Sequence, residues 1–350
     1  MCKQKPINRR YNIVQTGLFD LEFRCRELEK NGDPLVKINQ RVPWEEFRNI
    51  LNTVHEKDRK SEAGRKPFDV VLMFKILILQ SLYNLSDDAM EYQIRDRISF
   101  MRFLGLNIDQ RVPDAKTIWL FREQLGQLHL TKKLFQRFDG YLGRQGLKAQ
   151  KGQIIDANIV SVPIQRNSRE QNKRLKEGET LDEWNDHVKR QKDSDATWTM
   201  KNGKKYYGYK NHVNVDVTHK LIRSYEVTDA SGPDRKIFET LLDQSNTNKD
   251  VFADSAYCSK KNSQILEEHG FRDKVHRAGY RWKKLTARER QGNRTKSKTR
   301  VRIEHVFGMQ LKVAGTLISN VIGVMRNATK IGLRNLTYNM YRLPKPVLQT

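Results

Sequence analysis

The sequence predicts an α/β protein in which a mixed sheet with flanking helices follows a mostly helical N-terminal region. Apolar residues recur at helical spacing between residues 67 and 135. From about residue 150 they fall instead in short β-branched or alternating runs that are typical of strands. Because 350 residues are enough for two domains, we expect a helical domain over residues 1–140 and an α/β domain over residues 150–350.

Three helices are expected between residues 67 and 135. The first opens near Pro67 and runs to about Leu82, because proline suits the first helical turn. Ser86 and Asp114 are suitable N-caps for the next two helices. In the third helix four apolar residues share one side: Ile118, Trp119, Phe121 and Leu125. Short helices of this kind fit a helix-turn-helix DNA-binding unit and a plain helical bundle equally well, since both obey the same packing rules.

The α/β region opens with a β-branched strand over residues 153–162. The highly charged residues 164–203 are expected to form an insertion in the domain. A capping box of Thr180 and Glu183 predicts one helix in it, near 181–191.

The rest of the chain is expected to alternate between strands and helices. Alternating residues predict a hairpin with strands over 207–217 and 221–228. The later elements are a helix over 234–244, a strand over 251–254, a helix from Ser259 to Gly270, a strand over 271–276 and a helix over 300–313. An antiparallel opening followed by β–α alternation gives a mixed sheet with helices packed on it.

The charge of the chain indicates a polyanionic partner. Lys and Arg number 66 against 41 Asp and Glu, a formal net charge of +25. Residues 272–302 concentrate this surplus, with thirteen Lys or Arg and two acids. Nucleic acid is the obvious candidate, and an anionic membrane surface is its competitor. The most apolar run, 70–79, is too short to span a bilayer and contains Lys75, so we expect no membrane segment.

Other patterns narrow the class of protein further. The three cysteines are widely spaced with no CxxC pair, which indicates neither a zinc site nor a disulfide framework and fits the reducing cytosol. No signal peptide is recognised at the N-terminus. A phosphate-binding GxxxxGK[ST] loop and a Gly-x-Ser-x-Gly elbow are both absent from the sequence, which argues against an NTP-driven motor and against acyl transfer.

Three acids stand out as candidates for metal chemistry. Asp156 and Asp254 each lie in or directly after an apolar strand, where a carboxylate is costly unless something neutralises it. Hard divalent cations do this with oxygen ligands, and two such ions can stabilise both oxygens of a phosphodiester displacement. Glu304 is the best third ligand, because Arg300, Glu304, Gly308 and Lys312 form an i, i+4 stripe while Val301, Phe307 and Leu311 pack.

Each of these acids also has a structural interpretation. A single strand aspartate is often a salt-bridged or turn residue, and Glu304 can be a surface partner of Arg300 or Lys312. The gaps of 98 and 50 residues between the acids are not specific in themselves. The basic run before Glu304 can be a solvated loop.

The motifs taken together resemble the DDE transposases of bacterial insertion sequences, in particular the superfamily of insertion sequence families four and five. IIDANIVSVP resembles the first catalytic strand, and YYGYKNHVNVD and VTDASGPD the next two. VFADSAY resembles the segment of the second Asp, and RVRIEHVFGMQLK the helix of the Glu. The stretch from residue 68 to residue 125 resembles the family's N-terminal domain.

This resemblance implies an RNase H-like catalytic domain in which Asp156, Asp254 and Glu304 bind two Mg²⁺ ions, with Mn²⁺ as a possible substitute. It implies hydrolysis at element ends, followed by attack of the freed 3′-hydroxyl on target DNA. The partners are double-stranded DNA, as terminal inverted repeats and target, and a second copy in a synaptic homodimer. We expect the chain to act at the nucleoid in the bacterial cytoplasm.

DNA contacts are expected near the last acid: Arg300, Lys312, Arg302, Lys298, Lys296 and, in the hairpin, Lys210. Arg300 matches the arginine of the family's Tyr, Arg, Glu, Lys signature, whereas Ser297 occupies the Tyr position and Lys312 lies one residue late. Two alternatives remain at this point: a non-catalytic DNA-binding relative and an RNase H-like nuclease that does not transpose.

Overall fold

The computed structural model describes residues 19–56, 66–162, 165–179, 181, 184–201, 203–280, 282–315 and 319–343. Its N-terminal part holds the helices α1 (Asp20–Lys30), α2 (Pro34–Arg41), α3 (Arg48–Asn52), α4 (Val70–Tyr83), α5 (Asp87–Asp96), α6 (Ile98–Leu104), α7 (Ala115–Gln127) and α8 (Leu130–Arg144). A mostly helical N-terminal region is therefore confirmed. The capping box of Thr180 and Glu183 lies outside the described residues.

The helix starts follow from side-chain caps. Ser86 and Asp114 cap α5 and α7 as predicted. The α4 helix begins at Val70 rather than at Pro67, because the carboxylate of Asp69 accepts the first free backbone N–H groups of the helix. The predicted apolar side of α7 is wrong at Trp119, which is 44% exposed.

One mixed sheet forms the second half of the molecule. Its strands are β1 (Gln153–Ser161), β2 (Thr197–Lys201), β3 (Lys204–Asp216), β4 (Ile222–Asp229), β5 (Asp250–Ala253) and β6 (Arg272–Asp273). β1 is central, antiparallel to β3 on one side and parallel to β5 on the other. β3 also carries β2 and β4, and β5 carries β6. This topology confirms the α/β prediction, including the antiparallel opening and its RNase H-like character.

The charged insertion contributes more structure than predicted. It contains α9 (Arg169–Lys176) and α10 (Asp186–Gln191), and it ends in β2, which extends the sheet along β3. α10 is capped by Asn185, whose side chain accepts the backbone N–H of Val188. β6 is only two residues long, so most of the strand predicted over 271–276 is irregular.

Five helices complete the fold: α11 (Phe238–Leu241), α12 (Lys260–Glu268), α13 (Ala287–Arg300), α14 (Arg302–Ala314) and α15 (Val324–Arg342). Ser259 caps α12 as predicted. The helix predicted over 234–244 is reduced to a 3₁₀ turn followed by the single turn of α11.

The packing face of α14 differs from the predicted one. Val301 and Leu311 are 44% and 51% exposed, and the helix instead buries Ile303, Val306, Gln310 and Ala314. The reason is that Val301 lies at the break between α13 and α14, so the apolar stripe begins two residues later.

The hydrophobic core runs through both halves of the chain. One cluster of buried residues joins α3, α4, α7 and α8 to β3, β4, α14 and α15. α15 packs against α4, α7, α8 and β4. Within the described residues no single helix is long and apolar enough to cross a bilayer, although α4 and α5 meet those criteria together as a sharply bent pair.

Candidate active site

Two of the predicted acids lie side by side on neighbouring strands. Ile155 of β1 pairs with Ala253 of β5 in parallel register, and the residues that directly follow them are Asp156 and Asp254. Each carboxylate accepts a local backbone N–H, from Ala157 at 2.8 Å and from Ala256 at 2.9 Å respectively. The sheet therefore presents a pair of carboxylates at the level where β5 ends.

This proximity changes the acidity of Asp156. Burial raises the pKa of its carboxyl, and the negative charge of Asp254 raises it further, to about 6. The side chain is only 14% exposed, so water screens the repulsion weakly. A cation bound between the two carboxylates would therefore reduce their electrostatic repulsion.

Among the described residues, Arg300 forms an ion pair with Asp156. Its Nη1 donates to Oδ2 of Asp156 at 2.9 Å. Its Nε is buried and has no hydrogen-bond partner in the described structure. Arg300 is the last residue of α13, so the basic run predicted as a possible solvated loop is in its last part an ordered helix that ends at the acids.

Glu304 lies apart from the two aspartates. It is exposed on α14 and lines a shallow cavity of about 480 Å³ with Lys220, Gly308 and Lys312. Among the described residues its side chain makes no ion pair, neither with Arg300 nor with Lys312. Nor does the described part of the chain contain three His, Cys, Asp or Glu residues grouped to hold a metal ion. The structure brings together Asp156, Asp254 and Arg300, and not Glu304.

The predicted DNA-contacting cations fall into two groups. Lys298 and Lys312 are exposed on the surface. The other three besides Arg300 are engaged within the fold: Lys296 donates to the carbonyl of Val275, Arg302 to that of Val217, and Lys210 to Gly232 and to Asp234.

A buried polar chain that the sequence patterns did not predict lies beside the acids. The hydroxyl of Tyr257 lies 3.3 Å from Nδ1 of His212, whose Nε2 is 3.0 Å from the hydroxyl of Thr228. Burial, with the charges of Asp234, Asp156 and Asp254, raises the pKa of Tyr257 well above its usual value. Burial lowers the pKa of His212 to about 4. His212 and Tyr257 are therefore neutral groups buried next to the two aspartates.

Comparison with known proteins identifies two family models that match the chain. The profile of the family described as "Transposase DDE domain" matches residues 148–340, and that of "Transposase domain (DUF772)" matches residues 23–124. Among solved structures, the chain is similar to the piggyBac transposase in a synaptic complex with hairpin DNA. The two are 13% identical, with a TM-score of 0.45 over 91% of this chain and 76% of the other.

The first of these matches covers more than half of the chain and includes all three acids. The family implies nuclease and transesterification chemistry, and its members generally use divalent metal ions. The chain therefore belongs to the DDE transposase family, as a DNA transposase of the insertion-sequence type.

Proposed function

We propose that this transposase cuts DNA at the ends of its element and joins the freed 3′-hydroxyl to target DNA, with Asp156, Asp254 and Glu304 as ligands of two Mg²⁺ ions. The observation that carries the proposal is that Asp156 and Asp254 directly follow the last paired residues of two adjacent parallel strands, Ile155 and Ala253. Mn²⁺ is expected to substitute for Mg²⁺.

The chemistry of the two aspartates fits divalent cations. Two neighbouring carboxylates of which one is nearly buried are unfavourable in their charged form, as the raised pKa of Asp156 indicates. Oxygen ligands of this kind are those that Mg²⁺ prefers, and Arg300 already occupies the place of a cation at Asp156. When bound, two such ions stabilise the attacking and the leaving oxygen of a phosphodiester.

Glu304 joins the site, in this proposal, only when DNA is bound. Arg300 and Glu304 are four residues apart, about one helical turn, and the helix is interrupted between them at Val301, where α13 ends and α14 begins. A change at this break moves Arg300 off Asp156 and brings Glu304 toward it. Arg300, Lys298 and Lys312 then face the DNA backbone as phosphate contacts.

The assembly around this site is also proposed. The N-terminal helices recognise the terminal inverted repeats, and phosphate contacts supply most of the affinity. Two copies bring two ends together as a synaptic dimer at the bacterial nucleoid. Measurement of mass in solution with and without end DNA tests the dimer.

The decisive experiment is cleavage of a duplex carrying one element end, with Mg²⁺ or Mn²⁺. Asp156→Asn, Asp254→Asn and Glu304→Gln should each lower the cleavage rate by more than about 100-fold. The reason is that mutation of a residue that only hydrogen-bonds to a metal ligand already lowers metal affinity or activity by about 10- to 100-fold. Glu268→Gln, an exposed acid on α12, is the matched control and should keep full activity. Full cleavage by any of the three variants would remove that residue from the mechanism.

A second assay separates the two alternatives. Pre-cut ends with a free 3′-hydroxyl are mixed with target plasmid, and joined products are measured. A nuclease that does not transpose cleaves in the first assay and joins nothing here. A non-catalytic relative binds the ends and does neither.

A further inference from the structure

A second polar cleft lies between α15 and the N-terminal helices, away from the acids. Its volume is about 600 Å³, and α4, α5, α7 and α15 line it. Three cationic side chains reach it, Arg122, Lys330 and Arg334, against one carboxylate, Asp87. The charges of this cleft are therefore unbalanced.

The carboxylate of Asp87 already accepts hydrogen bonds from its neighbours in the cleft. Arg122 binds Asp87 through two nitrogens, at 2.6 and 2.8 Å, and the amide of Gln80 donates to it at 2.7 Å. The Arg122–Asp87 pair is thus neutral, and the carboxylate has little capacity for another cation.

Arg334 is engaged with the end of a helix. Its guanidinium donates to the carbonyls of Gln310, Ala314 and Gly315, which are the last acceptors of α14. This contact offsets part of its charge through the helix dipole, and burial still lowers its pKa to about 10.

Lys330 is the unbalanced cation. Its ammonium makes no hydrogen bond or ion pair within the described part of the chain, and burial lowers its pKa, with the charge of Arg122 adding to the effect. A half-buried ammonium beside two guanidinium groups is costly unless an anion compensates it. The polar side chains of Ser86, Asn84 and Asn320 also line the cleft and can donate to such an anion.

We propose that this cleft binds a phosphate group through Lys330, and that the backbone of bound DNA supplies it. The cleft has the size of a nucleotide-binding site, since ligand pockets run from about 300 to 1,000 Å³. A DNA strand is the favoured source because the chain carries a net charge of +25 and the cleft borders the helices proposed to recognise element ends. The inference goes beyond the metal site and does not depend on it.

Salt dependence of DNA binding tests the site without any cleavage. Affinity for an end-containing duplex is measured in EDTA at several salt concentrations, so the metal site has no influence on the result. Lys330→Gln should lower the slope of log affinity against log salt by about 0.9, the value for one lost phosphate contact. Lys330→Arg should keep the slope of the unmodified protein. Lys261→Gln, an exposed lysine on α12, is the matched control and should also keep it.

A second variant guards against loss of folding. Asn320→Asp puts a carboxylate at the exposed edge of the cleft and should weaken DNA binding in the same direction. Inorganic phosphate distinguishes the source of the group: stabilisation of the unmodified protein but not of Lys330→Gln, with an unchanged DNA slope, would confirm a phosphate site and overturn DNA as its source. Unchanged slopes together with no effect of phosphate would overturn the proposal entirely.

Discussion

At the scale of single residues, the contact between Arg300 and Asp156 determines what the site does before DNA binds. The guanidinium lowers the pKa that burial and Asp254 raise, so it partly neutralises the pair of acids. Its Nη1 is bonded to Oδ2 of Asp156, the carboxylate that we propose as a metal ligand. In that proposal, Arg300 and a metal ion from solution would compete for the same oxygen.

Removal of that competitor should strengthen metal binding in the absence of DNA. Arg300→Gln leaves Asp156 without its charged hydrogen bond, a contact worth about 1.5–3 kcal/mol, so the affinity for Mn²⁺ should rise by about 10- to 100-fold. Electron paramagnetic resonance of Mn²⁺ measures this directly. Arg302→Gln is the control, because Arg302 donates to a backbone carbonyl and not to an acid. Equal Mn²⁺ affinity in all three proteins would show that Arg300 does not compete with metal.

His212 should make the fold sensitive to acid. Its pKa is about 4 in the folded protein, against the ordinary value of 6.5 in the unfolded chain. Between these values the unfolded chain binds the extra proton, so stability is lost as pH falls from 6.5 toward 4. The contribution is at most about 1.4 kcal/mol per pH unit.

Chemical denaturation at a series of pH values measures this contribution. The glutamine of His212→Gln can keep a hydrogen bond to Tyr257 or Thr228, but it has no group that titrates between pH 4 and pH 6.5. The free energy of unfolding of this variant should therefore fall less steeply as the pH is lowered through that range. His187→Gln, an exposed histidine on α10, should behave like the unmodified protein. The same slope for His212→Gln would mean that His212 is not the group that titrates.

At the scale of elements, α15 lies close to its neighbours because of its small residues. A Cβ on Gly332 would lie 2.3 Å from the hydroxyl oxygen of Tyr225 on β4 and 2.7 Å from Cγ2 of Thr131 on α8. Both neighbours are buried and have little freedom to move. The glycine therefore sets the distance between α15 and the sheet.

Two glycine-to-alanine changes should accordingly have opposite effects. Gly332→Ala should destabilise the protein by about 1–3 kcal/mol through overpacking, despite the better helix propensity of alanine. Gly308 is exposed on α14 and a Cβ added there has no neighbour, so Gly308→Ala should stabilise the protein by about 0.5–1 kcal/mol. Thermal unfolding in the absence of DNA measures both. A stabilised Gly332→Ala would show that α15 can shift at little cost.

The elements also show what the sequence can and cannot predict. Strands with strong local signals, such as the one containing Asp156, and helices with clear caps, such as the one at Ser259, have predicted bounds close to the observed ones. The sequence patterns do not predict helix α13, because its residues are almost all polar and give no apolar period, although Thr286 and Glu289 form a capping box. They do not predict helix α15 either, because it buries polar residues, Asn335 and Asn339 among them, whose partners are distant in sequence.

The same limit applies to the candidate site. Short-range patterns predict that Asp156 lies in one apolar strand and that Asp254 ends another, whereas the pairing of those two strands is seen only in the sheet. The position of Glu304 depends on a break at Val301 and on which face of α14 is buried, and no local pattern shows either.

At the scale of the whole molecule, the hydrophobic core extends across the boundary expected between residues 1–140 and residues 150–350. Buried residues of α4 and α8 and buried residues of β3, β4 and α15 belong to one cluster. Two domains that share a core lose part of it when they separate, at a cost proportional to the apolar area exposed. We therefore expect residues 1–140 and 150–350 to unfold as one unit.

Calorimetry of the full chain without DNA tests this expectation. A single transition should be seen, with equal calorimetric and van't Hoff enthalpies. Phe74→Ala on α4 truncates a fully buried side chain in the N-terminal half, and Leu336→Ala on α15 does so in the C-terminal half. Each should lower the free energy of unfolding by about 2–5 kcal/mol. Both variants should lower the temperature of the same single transition. Two resolved transitions, each sensitive to one variant only, would show that the halves are independent domains that merely contact each other.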